Sequence, residues 1–166
     1  MTDTVTPEQR SWTMSRIRGK DTKPELLVRR YLYSRGLRFR VNYAGLPGHP
    51  DVVLAKYKAL VEIRGCFWHR HEGCAISTTP KSHVRFWREK FKRNVARDRL
   101  HERQWAEAGW RVFVVWGCEL RPFVREITLA KLYAAITDGH GGVGYSTGDD
   151  GVNIPFAAET TEDYKA

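Results

Sequence analysis

Long apolar runs are missing from this sequence. No stretch approaches the roughly 20 consecutive apolar residues that a helix needs to cross a bilayer. The N-terminal segment MTDTVTPEQR also lacks an apolar stretch of the kind found in secretory signals. We therefore expect a protein that does not associate with membranes and that works in the cytoplasm.

Cysteine is scarce, because the 166 residues contain only Cys66, Cys74 and Cys118. An odd number of cysteines in a reducing compartment argues against a disulfide framework and leaves metal binding open. The hydrophobic fraction of 42% is enough for one ordinary core, and the chain length is typical of a single domain.

Acidic residues are few except at the C-terminal end. The formal net charge is +9, but six acids and only one base follow residue 137, so the tail carries −5 and residues 1–137 carry +14. We expect one basic domain over residues 1–137, which begins with a basic arm at 1–21. A flexible, acidic and Gly-rich tail is expected at 138–166. The basic domain suggests a polyanionic partner, although a solvated surface would give the same composition.

Hydrophobic periodicity predicts an α/β domain. The expected elements are a helix from Lys23 to just before Gly36, a strand at 37–41, a hairpin of 51–55 with 59–64, a loop at 65–80, a helix at 84–108, a strand at 110–116 and a helix at 123–137. The order α-β-β-β-α-β-α is typical of three layers around a mixed sheet.

Two acids in the predicted hairpin indicate a catalytic metal. Antiparallel pairing brings Asp51, at the start of one strand, to Glu62, near the end of the other, and alternation puts Arg64 on the same face as Glu62. Carboxylates that hold Mg²⁺ can activate water and stabilise charge on a phosphate. A salt bridge between Glu62 and Arg64 is the alternative. The apolar neighbours of Glu62 argue against it, since a buried acid needs a metal or a partner.

The pattern Pro-Asp-(x)10-Glu-x-Arg around these residues resembles the PD-(D/E)xK signature of nucleases, with arginine in place of lysine. Many hairpins carry such charges by chance, so the pattern is weak by itself.

A second metal site is indicated by the segment GCFWHRHEGC. It offers Cys66, His69, His71 and Cys74 at zinc-ligand spacing, and Cys118 follows a predicted strand and can complete a tetrahedral structural zinc site. Unrelated buried thiols are the alternative. Spacing alone does not decide between His69 and His71.

Several short motifs together resemble the very-short-patch-repair (Vsr) endonuclease family. They span residues 10–122 in the family's order and comprise Arg10-Ser11, Met14, Ile17, Asp21-Thr22 with Glu25, GLPGHPD (45–51), GCFWHRH (65–71), FWREK (86–90), NVARDR (94–99), GWRV (109–112) and VWGC (115–118).

The resemblance implies a restriction-endonuclease-like fold of the PD-(D/E)xK type and nicking of DNA on the 5′ side of the thymine in T:G mismatches. This cut starts repair of deaminated 5-methylcytosine. By analogy, Asp51 and the backbone carbonyl of Ile63 bind Mg²⁺, His69 helps to activate water, and Glu25 acts with His69 through the water shell of the metal. The zinc ligands implied by the resemblance are Cys66, His71, Cys74 and Cys118.

The sequence departs from the family pattern beside the metal site. Ile63-Arg64 stands where a Thr-His pair is frequent, and Glu62 stands where an apolar residue is frequent. Arg64 cannot act as a base at neutral pH, but it can stabilise charge on a phosphate. We expect Glu62 to join Asp51 as a metal ligand. The spacing from His71 to Cys74 is also one residue longer than in the most familiar form.

Two further features suit DNA. Residues 81–103 contain nine Lys or Arg against three acids, which gives a predicted helix a basic face for phosphates, with Arg85, Lys90, Lys92, Arg93 and Arg97 as candidate contacts. A solvated helix face is the alternative.

Phe67, Trp68 and Trp87 match the aromatic wedge of the family, which unstacks a base step. Core packing is the alternative, and it suits Phe86 or Phe91 better than Trp68.

The preferred function is therefore a mismatch nickase. A restriction-like or modification-dependent nuclease with a different target is the first alternative, motivated by Glu62 and Arg64. A non-catalytic zinc DNA-binding module is the second, and Asp51, His69 and Glu25 argue against it. By family analogy we expect a monomer in the bacterial cytoplasm at the nucleoid, with mismatched double-stranded DNA and mismatch-repair proteins as partners.

Overall fold

A computed structural model of the chain describes residues 19–139 and six single positions before them: Thr6, Glu8, Gln9, Trp12, Ser15 and Arg16. Most of the expected basic arm lies outside the described residues, including Arg10, Ser11, Met14 and Ile17. The expected flexible tail lies outside them from residue 140 onward.

Residues 19–139 contain four helices and three strands in the order α-β-β-α-α-β-α. They are α1 (Lys23–Ser34), β1 (Val52–Leu54), β2 (Ala59–Arg64), α2 (Cys66–His69), α3 (Val84–Glu107), β3 (Arg111–Trp116) and α4 (Arg125–Thr137), with 3-10 turns at Ala55–Tyr57 and Gly117–Leu120. In residues 19–139 and the six positions before them, no helix is long and apolar enough to cross a membrane.

Helix α1 begins and ends where local sequence chemistry dictates. Thr22 is the N-cap and its side chain accepts a hydrogen bond from the backbone N–H of Glu25, while Pro24 lies in the first turn. The helix ends at Ser34, and Gly36 follows with a φ of +85°, which a residue without a Cβ adopts at little cost. The predicted bounds of this helix are confirmed.

Strand β2 is paired on both sides. β1 runs antiparallel to it, with Val52 opposite Val61, and Lys58 closes the turn between them in the left-handed conformation. β3 runs parallel to β2, with Arg64 opposite Trp116. The sheet order is β1-β2-β3, so the predicted hairpin and the predicted mixed sheet are confirmed.

The pleat of the sheet sends alternate side chains to two cores. Side chains from all three strands pack against α1 and α4 on one face; they are Val52, Leu54, Ala59, Val61, Phe113 and Val115. On the other face, Val53, Leu60 and Val112 pack against Trp105 of α3. Helices therefore cover both faces of the sheet, and the alternation places Glu62 and Arg64 on the face that meets α3.

The predicted strand at 37–41 is wrong. Only Arg40 pairs, through two backbone hydrogen bonds with Val53 of 3.0 and 2.8 Å. Asn42 then adopts a positive φ of 45°, which turns the chain away from β1 before a ladder can extend. The segment expected to be a loop at 65–80 contains the one-turn helix α2, whereas the long helix, the third strand and the last helix lie where the periodicity predicts them.

Leu132→Ala tests the packing of α4 on the sheet. Leu132 is fully buried, so its truncation should lower the free energy of unfolding by about 2–5 kcal/mol. Leu100→Ala in α3, where the side chain is 45% exposed, is the matched control and should change it by less than about 0.5 kcal/mol. Urea unfolding followed by circular dichroism measures both, and equal losses would contradict this packing.

Candidate active site and metal centre

The hairpin of β1 and β2 brings two carboxylates together. Asp51 immediately precedes β1, and the register of Val52 with Val61 continues to put Asp51 opposite Glu62. The Asp51 carboxylate accepts a hydrogen bond from the backbone N–H of Ile63 at 2.8 Å, and the backbone N–H of Asp51 donates to Glu62 Oε1 at 3.4 Å. The structure therefore brings the predicted acidic pair to one edge of the sheet.

Burial makes this pair costly to ionise. Desolvation, together with the charge of Asp51, raises the pKa of Glu62 to about 8. Desolvation also raises the pKa of Asp51 to about 6, with the charge of Glu25 acting in the same direction. A divalent cation would stabilise both carboxylates as anions. Because their ligand atoms are oxygens, the pair fits a hard cation such as Mg²⁺.

Arg64 does not pair with Glu62. Its side chain is buried, and Nη1 donates to Glu102 Oε1 of α3 at 2.5 Å. The alternative of a simple Glu62–Arg64 salt bridge is therefore wrong, because α3 places a second carboxylate, that of Glu102, beside Arg64.

The imidazole of His69 contacts Asp98, an acid that the sequence pattern did not indicate. His69 lies at the end of α2, and its Nδ1 is 2.5 Å from Asp98 Oδ2 of α3. Asp98 is buried, whereas the side chain of His69 is partly exposed in the cleft. The contact with Asp98 fixes the orientation of the His69 ring.

Glu25 is anchored within its own part of the chain. Its carboxylate accepts hydrogen bonds from the Asp21 backbone N–H at 2.9 Å, from the Thr22 hydroxyl at 2.8 Å and from Arg29 at 3.1 Å. Arg29 also donates to the backbone carbonyl of Asp51 at 3.2 Å. Arg29 thus ties the start of α1 to the start of β1.

All five predicted catalytic residues line one cleft of about 710 Å³; they are Glu25, Asp51, Glu62, Arg64 and His69. Trp68, Asn94, Arg97 and His101 line the same cleft. The five predicted residues, which are up to 44 positions apart in sequence (Glu25 to His69), are therefore gathered around a single space open to a ligand.

One face of α3 contacts the site at every turn. Asn94 donates to the backbone carbonyl of Trp68 at 3.1 Å, and Trp105 donates from Nε1 to the carbonyl of Pro47 at 2.9 Å. Asp98 and Glu102 lie between them in sequence and contact His69 and Arg64. The signal in the sequence was helical spacing of these residues on an otherwise basic helix.

The predicted ligand cluster of Cys66, His71, Cys74 and Cys118 also forms. One ligand atom from each residue lies within 4.8 Å of the others, so the four could hold a metal ion. The parallel pairing of Arg64 with Trp116 explains the meeting of Cys66 and Cys118, which each follow that pair by two residues. The choice of His71 over His69 agrees with this geometry.

Packing and burial favour the imidazole of His71 as a metal ligand. It stacks on Trp116, with the ring centroids 4.2 Å apart and the planes 5° from parallel. Burial lowers the pKa of His71, which favours the neutral form that binds metals. Burial and the neighbouring thiols raise the pKa of Cys118 to about 12, so a metal ion there has to displace the proton of this thiol.

The aromatic side chains form a packed cluster between α2 and α3. Phe67 contacts Trp68, Trp87 and Phe91 with ring centroids 5.0–5.4 Å apart. Trp87 is only 8% exposed, whereas Phe86 is 52% exposed. The expected burial of Phe91 is confirmed. Phe86 does not pack in the core, and Trp87 is not accessible to a duplex in this conformation.

The basic residues predicted to contact DNA lie along α3. Arg85, Lys92, Arg93 and Arg97 are exposed. Lys90 is half-buried, and its ammonium group lies 5.1 Å from the centroid of the Trp68 ring. The face of α3 that carries Asn94, Asp98, Glu102 and Trp105 thus lies toward the site and the sheet. Much of the basic surface of this helix remains free for a ligand.

The protein has a mixed sheet between two helical layers. Paired carboxylates lie at the end of its hairpin, and a cluster of thiols and one imidazole lies beside it. These features define an α/β protein of the restriction-endonuclease-like class. Comparison with known proteins identifies the family within that class.

The profile of the family described as "DNA mismatch endonuclease Vsr" matches residues 2–75. Over 120 residues, 72% of this chain and 88% of the relative, the chain is 47% identical to a type II nicking enzyme of Xanthomonas oryzae pv. oryzae. It is 41% identical to the DNA mismatch endonuclease Vsr of Escherichia coli over 73% of this chain and 77% of that protein. The chain therefore belongs to the Vsr family of DNA mismatch endonucleases.

Cys118→Ser tests the ligand cluster. The intact protein, purified without added metal, should contain about one tightly bound metal ion per chain at this cluster, and the variant should lose it because one of four ligands is gone. The variant should also unfold at lower temperature. Elemental analysis by mass spectrometry measures the metal. A metal content that survives the substitution would remove Cys118 from the cluster.

Proposed function

We propose that this nicking endonuclease of the Vsr family cuts one DNA strand on the 5′ side of the thymine in a T:G mismatch, with Mg²⁺ as the catalytic ion, and so starts very short patch repair of deaminated 5-methylcytosine. The observation that carries the proposal is the gathering of Glu25, Asp51, Glu62, Arg64 and His69 in one cleft. Membership of the family supplies the reaction class.

Asp51, Glu62 and the backbone carbonyl of Ile63 would hold the magnesium ion. The N–H of Ile63 donates to Asp51. Because the N–H and C=O of one strand residue point to the same side, the Ile63 carbonyl faces the same edge. When bound, Mg²⁺ activates a coordinated water and stabilises charge on the phosphate.

His69 would accept the proton of the attacking water. The Asp98 carboxylate can only accept hydrogen bonds, so its contact keeps a proton on Nδ1 of His69 and leaves Nε2 with a free lone pair. Nε2 would take the proton as the water oxygen bonds to phosphorus and the bond from phosphorus to the leaving deoxyribose oxygen breaks; that oxygen would gain a proton from solvent. Glu25, held by Arg29 in the same cleft, would help to hold that water. Asp98 touches no reacting atom and is a positioning residue.

Arg64 would supply positive charge beside the phosphate. A guanidinium group offers only hydrogen-bond donors, so Arg64 cannot replace a histidine as a base. It takes instead the electrostatic role of the lysine in the PD-(D/E)xK pattern.

Zinc is the metal that suits the cluster of Cys66, His71, Cys74 and Cys118. Three thiolates and one imidazole make a soft donor set, and four such ligands complete a tetrahedron with no position left for a substrate. The role of this ion would be structural, since it ties α2 to the end of β3.

A basic and aromatic face would bind the mismatched duplex. Arg85, Lys92, Arg93 and Arg97 would contact phosphates, and Lys90 lies over the ring of Trp68. Phe67 and Trp68 would enter the base stack at the mismatch. Trp87 would support them from beneath, because it is buried and its ring lies 5.4 Å from that of Phe67.

A nuclease with a different target is the second candidate. It is favoured by Glu62 and Arg64, the two residues by which the metal site departs from the family pattern. The non-catalytic zinc module is set aside, because the family is one of endonucleases. A monomeric state, contacts with mismatch-repair proteins and a location at the bacterial nucleoid in the cytoplasm stay predictions by family analogy. The division into a domain at 1–137 and a tail also stays a prediction.

Asp51→Ala tests the proposed cleavage. With Mg²⁺, the intact protein should nick a T:G duplex and leave the matched C:G duplex and its methylated form uncut. The variant should bind the T:G duplex normally, yet lose cleavage by about a hundredfold or more, a loss typical of removing a central charge-stabilising group. Gel analysis of end-labelled strands measures the cuts. Cleavage retained by the variant would exclude Asp51 from the mechanism, and equal cutting of all duplexes would favour the second candidate.

Trp68→Ala tests the aromatic wedge. The substitution should weaken binding to a T:G duplex more than to the paired duplex, by about 1–3 kcal/mol, because a wedge gains most where stacking is already poor. Fluorescence anisotropy with both duplexes measures the difference. Equal losses on the two would reduce Trp68 to a packing residue.

A further inference from the structure

Arg64 is a buried cation with a single acidic contact. Only 7% of the residue is exposed, and Nη1 donates to Glu102. Its Nε and Nη2 are buried and have no hydrogen-bond partner in the described part of the chain. A buried charge is costly unless a carboxylate compensates it, so the identity of that carboxylate determines where the guanidinium stays.

Two carboxylates compete for this guanidinium. Glu62 precedes Arg64 by two residues on the same strand face, where successive side chains are roughly 7 Å apart. Burial raises the pKa of Glu62, and the charge of Arg64 partly opposes that rise. The Glu62 carboxylate nevertheless faces Asp51 and accepts a hydrogen bond from its backbone N–H, with a nitrogen–oxygen distance of 3.4 Å. The ion pair between Arg64 and Glu102 therefore leaves the Glu62 carboxylate directed toward Asp51.

Helix α3 makes this arrangement rigid. Glu102 lies one turn after Asp98, which contacts His69, and three residues before Trp105, which is fully buried and bonded to Pro47. The position of Glu102 relative to the sheet is thus fixed on both sides by contacts of its own helix.

We propose that Glu102 is a positioning residue that holds Arg64 away from Glu62 and so keeps the Glu62 carboxylate available to the catalytic cation. The inference rests on the proposed metal role of Glu62. Without Glu102, Arg64 would take Glu62 as its counter-ion, and one ligand of the cation would be lost although every proposed ligand is still present in the sequence.

Direct binding of Mn²⁺ to the full-length protein, followed by electron paramagnetic resonance in the absence of DNA, tests this proposal. Glu62→Gln should weaken binding about tenfold, on the scale of one charge-assisted interaction. Glu102→Gln should weaken it by a similar factor. Glu107→Gln, an exposed acid on the same helix with the same change in charge, is the matched control and should leave binding unchanged.

The double variant Glu62→Gln/Glu102→Gln distinguishes this positioning role from a direct effect of the negative charge of Glu102 on cation binding. If Glu102 acts through Glu62, the double variant binds Mn²⁺ no more weakly than Glu62→Gln alone. Additive losses, or a Glu102→Gln variant that behaves like Glu107→Gln, would overturn the inference and leave the metal role of Glu62 intact. Unchanged binding in Glu62→Gln would instead refute that role and the inference with it.

Two further variants keep the test valid if Glu102→Gln folds poorly. Arg64→Gln/Glu102→Gln removes both charges, so no cation remains to capture Glu62, and Mn²⁺ affinity should return to within about twofold of the parent. The same double variant should still cleave slowly at saturating Mg²⁺, because Arg64 is absent.

Glu102→Asp should restore part of the affinity for Mn²⁺. A purely structural role for Glu102 would lower the melting temperature without changing Mn²⁺ affinity, and this result would contradict the proposal.

Discussion

The double pairing of β2 is the constraint on which the rest of this structure depends. Its antiparallel partner carries Asp51 to Glu62, and its parallel partner carries Cys118 to Cys66. A slip of one residue in the strand would turn every side chain to the opposite face. Glu62 and Arg64 would then leave the cleft. The two ladders that share β2 therefore fix the acidic pair and the ligand cluster relative to each other.

The ligand cluster and the cleft share one short segment of chain. His69 lies between Cys66 and His71, two residues of the cluster. Ordering a loop costs about 1–2 kcal/mol per residue in backbone entropy, and a metal ion at the cluster would offset that cost on both sides of His69. Asp98 restrains the ring from the other direction. The position of His69 thus depends on the ligand cluster around it and on α3. It does not depend directly on β2, the strand that carries Glu62.

Periodicity predicted the elements whose apolar residues repeat over several turns or along a buried strand. It failed at 37–41, where an alternating pattern has only Arg40 paired with β1, because pairing depends on where the chain turns in space. The acidic pair was predictable, since a hairpin joins its ends locally. Asp98 and Glu102 were not, because their partners lie 29 and 38 residues away and are chosen by the packing of α3 on the sheet. The exposure of Phe86 and burial of Trp87 depend on the same packing.

The stripe of Asn94, Asp98, Glu102 and Trp105 limits how this chain can change in length. Each helical residue turns the axis by about 100°, so one residue inserted between Asn94 and Trp105 would swing every later contact off the sheet. The turn between His71 and Cys74 is under a weaker constraint, because only its ends must reach the ligand cluster. Across a lineage, we expect α3 to be inherited as a segment of fixed length, whereas the turn of the ligand cluster gains and loses residues freely.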